Sequence, residues 1–139
     1  MSFEEKGTWL YLVIVTALPI VYFATILGQV SSVPVSEIEY QPRLLAAIAI
    51  AIGLAIVGMI AIAISSPQDA DKSDQRDKEI NRLGEYVGGT VLGFGMIVPF
   101  GLAMAEVQQF WIANTMYAVF VIGGICGSIA KLVLYRRGF

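Results

Sequence analysis

No charged residue interrupts the chain between Arg43 and Asp69. A helix needs about 20 predominantly apolar residues to cross a hydrocarbon core about 30 Å thick, so this stretch alone suffices for one crossing. Its central part, Leu44 to Ile64, holds eleven Leu, Ile and Val residues and no polar face. A soluble helix of that length would need such a face. Three further runs share the pattern: Thr8 to Gly28, Tyr86 to Ala105 and Phe110 to Leu134, the last broken only by Lys131. Open strands cannot cross lipid, and the alternation of a barrel strand is missing. The chain is therefore expected to form an all-α, four-helix transmembrane bundle, a single membrane domain over residues 1–139 with a polar central loop at 65–85. The first run exceeds the 7–15 residues usual for a signal-peptide core, and no small-residue cleavage pattern follows it.

Lys and Arg set orientation. Eight of the nine fall on one side: Lys6; Lys72, Arg76, Lys78 and Arg82 in the central loop; Lys131, Arg136 and Arg137 at the carboxyl end. Only Arg43 falls on the other. Both termini and the central loop are thus expected in the cytoplasm of a multi-pass cytoplasmic membrane protein. Trp9, Tyr11 and Tyr135 would anchor the inner interface, and Trp111 and Tyr40 the outer one. The Gln29–Gln41 loop is expected to be a solvated connector, and Glu106 to Gln109 a tight turn joining spans three and four.

Composition removes several classes of function. The chain has no histidine, hence neither the common proton shuttle nor the common metal ligand. Scattered carboxylates and the lone Cys126 make no metal, haem or nucleophile–base set, so no enzyme activity, metal or cofactor is expected. Net charge is −2, with no basic field for nucleic acid. The expected partners are the lipid bilayer, a second copy in a homo-oligomer, and a cytoplasmic protein.

Three groups of candidate residues remain. Glu106, Gln109 and Asn114 lie together near the outer end, where a tilted third span could turn Glu106 toward a cavity for a cation or proton. The other charge inside a span, Lys131, is expected to snorkel to the inner headgroups, though it shares a face with Gly124 and Ser128. Gly84 with Gly88, Gly89 with Gly93, and Gly123 with Gly127 repeat at i,i+4, the spacing that lets membrane helices approach closely, within one bundle or between copies. The loop residues Asp74, Arg76, Asp77 and Lys78 form a charged helix start that could dock a partner. Ser73 is the expected cap, Asp74 and Lys78 an i,i+4 pair, and the helix should run on into span three. Pro19 and Pro99 should kink spans one and three.

The stretches Asp74-Gln75-Arg76-Asp77-Lys78-Glu79-Ile80, Phe110-Trp111-Ile112-Ala113-Asn114 and Ala130 to Phe139, with the amino end Met1 to Lys6, resemble a family of small four-span proteins. These belong to bacterial cytoplasmic membranes, mainly of high-GC Gram-positive bacteria. The family's first motif usually reads Asp-Glu-Arg-Asp; here Gln75 replaces the Glu. The resemblance implies fold and location, and no activity. Two functions stay open: a non-enzymatic accessory, sensory or protective module that self-associates or binds a partner, and a small multidrug-type or cation-coupled transporter using Glu106. Small multidrug transporters carry their essential carboxylate in the first span, where this chain has no charge between Lys6 and Glu37.

Overall fold

The computed structural model describes residues 1–67 and 74–137. Four helical segments are long and apolar enough to cross a membrane. They are α1 (Phe3–Val30), α2 (Gln41–Ser65), α3 (Gln75–Gly95) with its continuation α4 (Ile97–Met104), and α5 (Gln109–Arg137). The protein is a multi-pass helical membrane bundle, as the charge-free runs require.

Each helix begins or breaks where local chemistry dictates. Ser2 caps α1, its hydroxyl accepting from the Glu5 N–H, with Glu4 and Glu5 in the positive first turn. Pro42 sits in the first turn of α2, where its missing N–H costs nothing. Asp74 caps α3 by accepting from the Gln75 N–H at 2.7 Å. The expected cap, Ser73, lies outside the described residues, as does Lys72. As expected, α3 runs without a break from the polar loop into the third span. That span is interrupted at Met96, between α3 and α4. The cause is Pro99, which cannot donate to the Gly95 carbonyl and whose ring crowds it. Helix α1, by contrast, continues through Pro19.

The helices pack in the order α2–α1–α5–α3. Helix α3 lies along α5, α5 also meets α1, and α1 meets α2; no packed seam joins α2 to α3. The α3–α5 seam is made by glycine. A Cβ on Gly88 would lie 2.9 Å from the Gly123 carbonyl oxygen, and one on Gly127 2.9 Å from that of Gly84. No side chain fits there, and the two backbones touch through these four glycines. Gly89 and Gly93 do not join this seam: both have open space where a side chain would project. Their expected packing within the bundle is corrected accordingly, because a residue one position along a helix turns about 100° away from the contact.

The end remote from the termini is closed by a small core of Tyr22, Ile26, Ile38, Tyr40 and Phe110. The Gln29–Gln41 connector is therefore more than a solvated loop. Through a short 3-10 turn at Val35–Glu37 it folds back and buries Ile38 and Tyr40. Tyr40 stacks edge-on against Phe110 at 5.2 Å within this core. Helix α2 has no fully buried residue: Leu44 and Ala47 pack against the core and Gly58 against Leu10 of α1, while most of its apolar surface stays exposed.

Candidate functional site

The three residues proposed for an outer ion site do not converge. Glu106 is exposed in the α4–α5 turn, with φ of 53°, and lines neither the cleft between the helix pairs described below nor the smaller hollow between α1 and the end of α5. Gln109 is exposed at the start of α5. Asn114 is buried, and its groups are engaged: Oδ1 accepts from the Tyr22 hydroxyl at 2.7 Å, and Nδ2 donates to the Phe110 carbonyl at 2.8 Å. Asn114 is an interhelix fastener between α5 and α1. The positive φ explains the turn's tightness: one left-handed residue reverses the chain within the four positions between Met104 and Gln109.

Polar side chains instead gather at the end that holds both termini. The Ser2 hydroxyl donates to Asp77 at 3.4 Å, and the Asn81 amide to Glu4 at 3.3 Å. Lys6 donates to the Ser66 hydroxyl at 2.7 Å, Arg136 faces Glu5 at 4.0 Å, and Arg76 donates to the Tyr135 carbonyl. These contacts tie the amino end to the residue just after α2, the start of α3 and the end of α5. Of the four residues expected to dock a partner, three are therefore engaged within the chain, Arg76 through the Tyr135 carbonyl. Asp77 is buried, with 6% of its surface exposed, and Asp74 is a cap. Arg76 and Lys78 are exposed, and Asp74 and Lys78 form no ion pair. The Tyr135 hydroxyl is buried here without a hydrogen-bond partner.

Next to this network, a cleft of about 490 Å³ lies between the α1–α2 and α3–α5 pairs. Gly84, Gly88, Gly124 and Gly127 are among its lining residues, with Ala55 and Met59 on the α2 side and Leu92 and Phe120 farthest along α3 and α5 from the terminal end. Glu4, Asn81, Glu85 and Lys131 line its terminal end. The Lys131 side chain is only 20% exposed and reaches Glu85 at 3.9 Å. Its stem lies where a Cβ on Gly84 would project, so the glycine gives the lysine its path. Snorkelling along α5 alone does not describe it: the ammonium crosses to α3. Glu85 and the cleft were not foreseen from sequence. The available signal was a lone lysine in an apolar run, with a small-residue face one and two turns before it.

No family model, curated protein or solved structure matches the chain.

Proposed function

We infer that this chain is a non-enzymatic membrane module of a bacterial cytoplasmic membrane, which acts by associating with a partner through its cytoplasmic face. The Lys and Arg distribution supports placing both termini and the start of α3 in the cytoplasm. The resemblance to small four-span bacterial proteins points the same way. One structural observation carries the rest: the polar side chains of the terminal end, far apart in sequence, bind one another into an ordered face. Fixing a side chain costs entropy, so an ordered charged face is a costly feature in a chain that needs only to span lipid. Lys78, Glu79 and Arg82 are exposed on it. The transporter reading has less support, because Glu106 is exposed at a turn and does not line the cleft.

The test is photocrosslinking in native membranes from a reactive residue placed at Lys78 or Arg82, with Phe100 in the lipid-facing α4 as the control. The module reading expects a discrete adduct, to a second copy or to one protein, from the first two positions only. Absence of any adduct from both would remove the reading. Restoration of cation or drug tolerance by the wild type but not by Glu106→Gln would favour the transporter.

A further inference from the structure

The cleft between α2 and α3 has a division of chemistry that the module reading does not use. Its floor is backbone, exposed by glycine on α3 and α5, and its depth is apolar at Leu92 and Phe120. Its terminal end carries two carboxylates, Glu4 and Glu85, and one ammonium, Lys131. The neighbouring charged groups have partners outside the cleft: Lys6 donates to Ser66, Glu5 faces Arg136, and Arg76 donates to the Tyr135 carbonyl. Helices α2 and α3 form no packed seam, so the cleft borders the surrounding membrane on that side.

We propose that this cleft holds one zwitterionic, amine-bearing phospholipid from the leaflet on the side of the termini. An apolar hollow at membrane depth excludes water and is filled by lipid. The charge arrangement selects the headgroup. Lys131 and Glu85, 3.9 Å apart, part to admit it: Lys131 meets the phosphate, while Glu85 and Glu4, the latter also holding Asn81, meet the ammonium that the same headgroup carries. An anionic headgroup without an amine would face two carboxylates with one cation, an unfavourable balance. A second copy seated on the cleft would leave it without lipid, an outcome that lipid counting detects. The inference rests on the membrane placement of the four helices, and on neither the protein partner nor the identity of the terminal side.

The experiment uses the full chain reconstituted into vesicles of equal parts phosphatidylethanolamine and phosphatidylglycerol. The protein is then taken into mild detergent, and retained lipid is counted by native mass spectrometry. The expected result is one retained phosphatidylethanolamine per chain, in about five-fold preference over phosphatidylglycerol, the ratio that about 1 kcal/mol sets. Gly89→Leu should lose the retained lipid with helicity unchanged, since position 89 lines the cleft and has open space before it. Ala55→Phe blocks the same cleft from α2, which has no buried residue to disturb, and should do likewise. Glu85→Gln, on a side chain 76% exposed, should bring the preference to near parity while lipid is still retained. Retention of no lipid, preference for phosphatidylglycerol, or undiminished retention by folded Gly89→Leu and Ala55→Phe would each overturn the proposal. The crosslinking outcome from Lys78 and Arg82 is independent of all of these.

Discussion

Asn114 and Glu106 show how far a residue's type can mislead about its role. Both are polar residues near a membrane boundary. Asn114 turned inward becomes a fastener, because a buried amide must find partners and Tyr22 and the Phe110 carbonyl supply them. Tyr22→Phe would leave Asn114 Oδ1 without its donor. It should lower stability by about 1 kcal/mol, the scale of interhelix hydrogen bonds in membranes, measurable as increased sensitivity to a denaturing detergent. Glu106 carries a conformational load instead of a chemical one. At φ of 53° its Cβ is unfavourable by about 1 kcal/mol, which glycine avoids. Glu106→Gly should therefore match or slightly exceed the wild type in melting temperature, and Glu106→Gln should be neutral. A marked loss in either would mean that the carboxylate holds something. Sequence alone could not separate these two residues, since the difference depends on which side of a helix end each one faces.

At the scale of elements, the decisive feature is the glycine seam of α3 and α5. Gly88→Ala or Gly127→Ala places a methyl against a facing backbone carbonyl that cannot move without parting the helices. Each should cost about 1–3 kcal/mol, the usual penalty of overpacking. Gly89→Ala, facing open space, should stay within about 0.5 kcal/mol. The comparison is read by thermal unfolding of the three variants in one detergent; equal losses at all three positions would mean that the second glycine face is also packed. Much of this scale was legible. Charge-free runs marked the four helices, and Pro99 marked the break near Met96. The i,i+4 glycines marked the contact type, because only small residues let membrane backbones meet. Which of two overlapping glycine pairs would be used was not legible, as both have identical spacing and differ only in azimuth. The folding of Ile38 and Tyr40 into the outer core was also hidden, because the scattered apolar residues of a short acidic loop do not reveal which of them turn inward.

The whole molecule has two unlike ends. One is sealed by aromatic packing of Tyr22, Tyr40 and Phe110, with a single strained turn beside it. The other gathers the two termini, the start of α3 and most of the polar contacts into an ordered face. The sequence announced this asymmetry through its basic residues but not through the contacts, which join residues more than fifty positions apart. The account stands on that ordered face being turned to the cytoplasm, where a protein partner can reach it. The direct test is labelling of intact cells with a membrane-impermeant maleimide, using chains whose own Cys126 is replaced by serine. Glu106→Cys should label in intact cells, and Lys78→Cys only after the membrane is opened. Labelling of Lys78→Cys in intact cells, with Glu106→Cys protected, would invert the protein in the membrane and contradict the account.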